Sequence, residues 1–141
     1  MNLLVTGGLG FIGSNFILEV LKNNPKWEIT NVDAELHGSN NMNLSEITSD
    51  QKYRFVKGNI LDSVLMDKLI SESDVIVNFA AESFVDRSIS DAKPFLDSNV
   101  IGIYNILEIL KKQKKKLIQI STDEVFGSLK NTSANEMIRF N

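Results

Sequence analysis

Thr122, Asp123 and Glu124 set a hydroxyl beside two carboxyl groups, directly after Leu117 to Ser121, a short apolar run that predicts a buried strand. Adjacent carboxyls can divide the roles of acid and base when one is held protonated and the other ionised. Successive strand residues point to opposite faces, so both can reach one substrate only where the strand gives way to loop. The triplet therefore predicts proton transfer at a strand end.

Near the amino terminus, Gly7, Gly10 and Gly13 follow the apolar run Leu3-Leu4-Val5 and precede Phe16, Ile17, Val20 and Leu21 at helical spacing. A glycine turn between a strand and a helix can bring bare N–H groups and the positive end of the helix dipole against a pyrophosphate. Asp33 lies twenty residues beyond Gly13, at the predicted end of the next strand, where a carboxylate can accept hydrogen bonds from a ribose diol. Ala34 beside it offers no guanidinium to neutralise a 2′-phosphate, so the pattern predicts NAD rather than NADP.

The elements that must position these groups read as follows. Trp27 to Val32 is a second strand, His37 to Asp50 a surface excursion rich in Asn and Ser, and Tyr53 to Lys57 a third strand. Asp62 to Ser71 predicts a short helix. Asp74 to Phe79 is a fourth strand, too continuously apolar for a half-exposed position, as expected of a parallel sheet covered on both faces. Pro94 opens a long helix to about Lys112, where Val100, Ile103, Tyr104 and Leu107 define one face. Ile101, Ile106, Ile109 and Leu110 widen that face and imply a second partner surface. Strands alternating with helices predict an α/β class, a Rossmann-like doubly wound parallel sheet of order 3-2-1-4-5. One domain is expected over 1–128, with a polar tail over 129–141. Every motif named falls after the carboxyl end of a strand, where ligands bind in such sheets.

The chain has 141 residues with 43% apolar content, and its 15 basic and 18 acidic residues give a formal charge of −3. That balance argues against nucleic-acid and membrane-surface partners and favours small solutes. There is no cysteine, which excludes disulfides and thiolate metal sites and suits a reducing compartment. No leader or spanning segment is evident, so a soluble cytoplasmic protein is expected. His37 is the sole histidine, expected at the surface or a pocket edge without a metal. Lys111, Lys112, Lys114, Lys115 and Lys116 close a helix and are expected to serve its negative end. Asp86 and Arg87 are read as either an ion pair or substrate contacts.

Three stretches carry a family resemblance: Thr6-Gly7-Gly8-Leu9-Gly10-Phe11-Ile12-Gly13-Ser14, Ala80-Ala81-Glu82-Ser83-Phe84-Val85-Asp86-Arg87-Ser88-Ile89 and Ser121-Thr122-Asp123-Glu124-Val125-Phe126-Gly127. Over residues 1–128 the chain resembles the dTDP-glucose 4,6-dehydratases, NAD-dependent lyases among the extended short-chain dehydrogenase/reductases. The resemblance implies that Phe11 and Ile12 present N–H groups to the pyrophosphate, Asp33 holds the adenosine ribose, and Asn59 with Ile60 borders the adenine. It implies that Ala80, Ala81 and Ser98 line the NAD channel, and that Ser83 and Thr122 contact the sugar. Asp123 would be proton donor and Glu124 proton acceptor. Asn59 stands where the family has aspartate, Phe84 for histidine, Ser98 for threonine and Phe126 for tyrosine.

The family's reaction oxidises sugar C4, removes the acidified C5 proton as the C6 hydroxyl leaves, and returns the hydride to C6. Positioned proton transfer of this kind contributes on the order of 100-fold to 10,000-fold. Its oxidation step uses a Tyr-x-x-x-Lys segment on a helix beyond the triplet, and no tyrosine follows Glu124 in this sequence. The later strands and the carboxyl-terminal sugar-nucleotide domain are likewise expected to be missing. The expectation is an amino-terminal dehydratase piece, truncated and inactive alone. It remains open between half of a split enzyme and a non-catalytic NAD-binding or interaction module. The implied partners are a nucleotide sugar such as dTDP-glucose, with a second copy or a complementary carboxyl-terminal chain.

Overall fold

Strands β1 (Asn2–Thr6), β2 (Glu28–Asp33), β3 (Tyr53–Lys57), β4 (Val75–Asn78) and β5 (Lys116–Gln119) form one parallel sheet. Its order is β3-β2-β1-β4-β5, as the alternation of elements predicts. The computed structural model describes residues 1–127, so the expected tail over 129–141 lies outside the described residues.

Period-two alternation divides each strand between two layers. On one side Leu4, Val32 and Ile76 pack against Met66, Leu69 and Ile70 of α2 (Ser63–Ser71) and Ile106 and Ile109 of α5 (Ile103–Gln113). On the other, Leu3, Val5, Ile29 and Tyr53 pack against Ile17 of α1 (Phe11–Asn23), with Leu9 and Leu44. Each of these fully buried side chains contributes about 1.5–3 kcal/mol relative to exposure. Burial on both faces is why β1 and β4 read as unbroken apolar runs.

Two segments differ from expectation. The excursion after β2 contains a 3₁₀ stretch, Asn41–Ile47, begun by the Asn40 side chain accepting from the Met42 N–H, and it tucks Leu44 into the core. Its single buried apolar residue among many asparagines made it read as surface. The residues Val85–Ser90 form a further short helix, α3, none of whose residues is buried, so its sequence carries no periodic signal.

The predicted long helix spans Lys93 to Gln113 in three parts: α4 (Lys93–Leu96), a π turn (Asp97–Gly102) and α5. Pro94 sits in its first turn, as expected. Ile106 and Ile109 face the sheet, whereas Val100, Ile101, Tyr104 and Leu107 are all exposed. Lys114 closes the helix in a left-handed conformation with φ 52°, its N–H donating to the Leu110 carbonyl. Lys111 pairs with Glu108, which raises its pKa, and Lys115 Nζ donates to the Ser73 carbonyl at 2.8 Å. On the α1 side of the sheet, Ile118 of β5, in register with Val77, and Ile120 beyond it remain 43% and 37% exposed. Among the described residues, no helix is long and apolar enough to cross a membrane.

Candidate functional site

The carboxyl ends of the five strands open onto one cavity of about 1060 Å³. A polar ladder ties together the ends of β1, β4 and β5. The Thr6 hydroxyl donates to Asn78 Oδ1, and Asn78 Nδ2 donates to Gln119 Oε1 at 2.9 Å, across residues paired in register on β1, β4 and β5. Thr6 and Asn78 are fully buried, and mutual pairing removes the cost of burying them.

The glycine turn leads from β1 into α1. Gly7 has φ 68°, and a Cβ there would lie 2.6 Å from the Ala80 nitrogen, so the loops after β1 and β4 can approach only if this residue is glycine. Gly13 lies in the first turn of α1, where a Cβ would meet the Gly7 carbonyl oxygen at 2.6 Å. No side chain caps α1 at Gly10, and the first-turn N–H groups of Phe11, Ile12 and Gly13 have no intrahelical acceptor. The Gly8 N–H donates to Asn31 Oδ1 at 3.1 Å, and Asn31 Nδ2 donates to the Tyr53 hydroxyl at 3.0 Å. The turn is thereby tied to the outermost strand. Burial raises the Tyr53 pKa.

Asp33 ends β2 almost fully buried, with its carboxylate accepting from the Leu9 N–H at 2.9 Å, the Glu35 N–H at 2.8 Å and the Ser39 hydroxyl at 2.7 Å. An ionised carboxylate offers about four acceptor sites, so capping its own loop leaves it one. Beside it Glu35, at φ 53°, pairs with Lys57 Nζ and accepts from Asn41 Nδ2, which together hold its pKa below the ordinary carboxylate value.

After β3, Asn59 Oδ1 accepts from the Leu61 N–H at 3.0 Å, and Asn105 Nδ2 donates to the Ile60 carbonyl at 2.6 Å. After β4, the Glu82 N–H donates to both Asn99 Oδ1 and Ser98 Oγ, while the Glu82 carboxylate meets Arg87 Nη1 at 3.5 Å. Arg87 thus pairs with Glu82 rather than with its neighbour Asp86. The His37 and Phe84 rings meet edge to face at 5.0 Å, placing the sole histidine at the pocket edge, as expected.

Beyond β5, Asp123–Phe126 form a 3₁₀ turn in which the Thr122 hydroxyl accepts from the Glu124 N–H at 3.3 Å and donates to Asp123 Oδ1 at 3.3 Å. The two carboxyls do lie where strand has given way to loop. Thr122 and Glu124 line the cavity, but Asp123 is exposed and outside its lining. The other expected site residues, Gly7, Gly10, Phe11, Ile12, Gly13, Asp33, Asn59, Ile60, Ala80, Ala81, Ser83 and Ser98, all line it.

The Tyr-x-x-x-Lys spacing does occur in the sequence, at Tyr53 and Lys57, but on β3 rather than on a helix beyond the triplet. Four strand residues span about 13 Å, and Lys57 is committed to Glu35 while Tyr53 accepts from Asn31. Neither residue lines the large cavity. Among the described residues, no cluster of three or more His, Cys, Asp or Glu side chains could hold a metal ion.

Sequence reasoning missed Glu82, Asn99, Asn31 and the Thr6–Asn78–Gln119 ladder. The available signal was a polar residue at the same height in successive apolar strands, which a search for motifs passes over.

A profile of the family described as GDP-mannose 4,6 dehydratase matches residues 4–141. The chain is 43% identical over 129 residues to a dTDP-glucose 4,6-dehydratase of Mycobacterium tuberculosis, covering 92% of this chain and 38% of that protein. The crystal structure of dTDP-glucose 4,6-dehydratase from Bacillus anthracis in complex with NAD superposes with a TM-score of 0.89 at 43% identity, covering 100% of this chain and 44% of that one. The enzyme of the same name from Streptomyces venezuelae, with NAD and TYD bound, gives a TM-score of 0.92 at 38% identity, covering 100% and 45%. The chain therefore spans less than half the length of these relatives.

Proposed function

Because the chain belongs to the GDP-mannose 4,6 dehydratase family, we propose that residues 1–128 bind NAD as the coenzyme portion of a nucleotide-sugar 4,6-dehydratase, acting on dTDP-glucose or a close analogue. Residues 129–141 would be a tail to that unit. The observation that carries this is the open start of α1, with three unpartnered N–H groups at a cavity that Asp33 also lines, beside the glycine turn. The cradle fits the group, since glycine at positions 7 and 13 lets the turn fold tightly against its neighbours and no side chain at Gly10 covers the N–H groups at the start of α1.

NAD supplies a hydride acceptor and, once reduced, a donor. This chain's residues bind and orient it. The amides of Phe11 and Ile12 would take the pyrophosphate, Asp33 the adenosine ribose through its remaining acceptor site, and Asn59 with Ile60 the adenine edge. Gly7, Gly10 and Gly13 shape the turn, while Ala80, Ala81 and Ser98 form the channel wall and Ser83 and Thr122 face the sugar. Glu124, which lines the cavity, would accept a proton. Asp123 can donate one only after turning in from outside the cavity lining.

A second proposal, a non-catalytic binding module or half of a split enzyme, is favoured by Asp123 and by Tyr53 and Lys57 standing away from the cavity. We place the protein in the cytoplasm. Self-association, or a complementary chain, would cover Ile118 and Ile120; a strictly monomeric mass at high concentration would remove the first.

Calorimetric titration with NAD and NADP tests the coenzyme role. Binding of NAD tighter than NADP is expected, and no heat from millimolar NAD would remove it. Adding dTDP-glucose then separates the two proposals, because a 4-keto-6-deoxy product from the chain alone would eliminate the binding module.

A further inference from the structure

We propose that Ser39 is a specificity-determining residue whose hydroxyl competes with the adenosine ribose for Asp33, and so limits how much of the coenzyme's affinity the ribose hydroxyls supply; this rests on the coenzyme role above. A ribose diol presents two neighbouring O–H donors, and a carboxylate takes both most easily with one acceptor site on each of its oxygens. Asp33 does not have that pair to give. Its Oδ2 accepts from the Leu9 N–H at 2.9 Å and keeps one site, whereas Oδ1 accepts from both the Glu35 N–H at 2.8 Å and the Ser39 hydroxyl at 2.7 Å. A second ribose hydroxyl can therefore reach Oδ1 only at the expense of one of these donors.

The two backbone donors cannot yield without moving the chain. Leu9 belongs to the glycine turn, and its carbonyl accepts from the Asn40 N–H and from Asn43 Nδ2, each at 3.0 Å. Glu35 stands at φ 53° beside Asp33, with its side chain committed to Lys57 and Asn41. Ser39 differs, because a hydroxyl turns away by rotation about χ1 alone. It lines the same cavity and is half-buried. Its backbone is fixed independently of its side chain: the Ser39 N–H donates to the Leu36 carbonyl at 3.1 Å, closing a turn through Gly38 at φ 89°. Removing the hydroxyl thus frees an acceptor site on Oδ1 and leaves the loop's own backbone bonds in place.

The test titrates the whole chain and its Ser39→Ala and Ser39→Thr variants with NAD, AMP and 2′,3′-dideoxy-AMP. Ser39→Ala should bind NAD and AMP about tenfold more tightly than the parent, the factor that one hydrogen bond to an ionised group supplies. Dideoxy-AMP should stay within about twofold, because it has no ribose hydroxyl to use the freed site. Ser39→Thr keeps the hydroxyl and should return every affinity to within about twofold of the parent. The ratio of AMP to dideoxy-AMP affinity is the decisive quantity, since a general loosening of the loop alters both ligands alike. Unchanged or weaker binding of NAD and AMP in Ser39→Ala, or an equal gain for dideoxy-AMP, would overturn the proposal. A parent chain that binds neither NAD nor AMP would instead overturn the coenzyme role, and with it the part assigned to Ser39.

Discussion

Helices α1 and α2 begin in equivalent places, each just past the carboxyl end of a strand, yet their first turns are finished in opposite ways. At α2 the Asp62 carboxylate accepts from the N–H groups of Val64 and Leu65 at 3.1 and 3.0 Å, so the orphan donors and the positive dipole end are answered within the chain. At α1 the residue in that position is Gly10, which has no side chain to offer, and the donors stay open to the cavity. The difference teaches where stability was forgone: a cap worth about 1 kcal/mol is missing at the start that faces the cavity and present at the start that has no such task.

The comparison breaks most severely at Gly7. Gly7→Ala forces a Cβ against the Ala80 backbone at positive φ and should lower stability by about 2–5 kcal/mol, adding left-handed strain to overpacking. Urea denaturation checks it, and a loss below about 1 kcal/mol would mean the turn relaxes freely. Gly10→Asp sharpens the contrast by giving α1 the kind of cap that α2 has, at a backbone already extended enough to hold it (φ −70°, ψ 168°). Stability should hold or rise while NAD affinity falls by about 2–3 kcal/mol, from lost donors and charge repulsion. Retained affinity there would remove α1 as the phosphate site.

Asp62→Ala is the reverse experiment. It should cost about 1 kcal/mol of stability and leave NAD binding unchanged. The smallest effect is expected at Glu35, whose pKa is lowered chiefly by Lys57 and then by Asn41. A depressed folded-state pKa contributes stability that is present above the ordinary value of 4.5 and fades as pH falls through the lower folded value. Glu35→Gln should therefore lower stability slightly near neutrality and converge with the parent in acid, flattening the acid limb of the curve, which denaturation at stepped pH would show.

The parts legible in the sequence were those whose physics is local. Gly7 with Gly13 announces a turn, Val75-Ile76-Val77 a two-sided strand, and Asp33 a carboxylate at a strand end. Asp123 and Glu124 were rightly placed in a loop, because strand alternation forbids two adjacent residues from sharing a face. What escaped was made of long-range pairings between unremarkable side chains. Asn99 carries no signal until Glu82 is seen opposite it. Arg87 reads as a partner of Asp86 until the fold supplies Glu82. The two sides of the 93–113 helix could be told apart only once the sheet had taken Ile106 and Ile109, leaving Val100, Tyr104 and Leu107 outside.

The π turn makes the length of that helix a fixed quantity. Removing one residue between Asp97 and Gly102 would take out the residue that the wider winding accommodates and return the segment to regular α turns, in which consecutive side chains stand about 100° apart. Ser98 and Asn99 would then no longer converge on the Glu82 peptide, while Asn105 could keep the Ile60 carbonyl. Side chains on the outward face can be exchanged one for another at small cost, but a single-codon deletion there should be felt at the rim formed after β4.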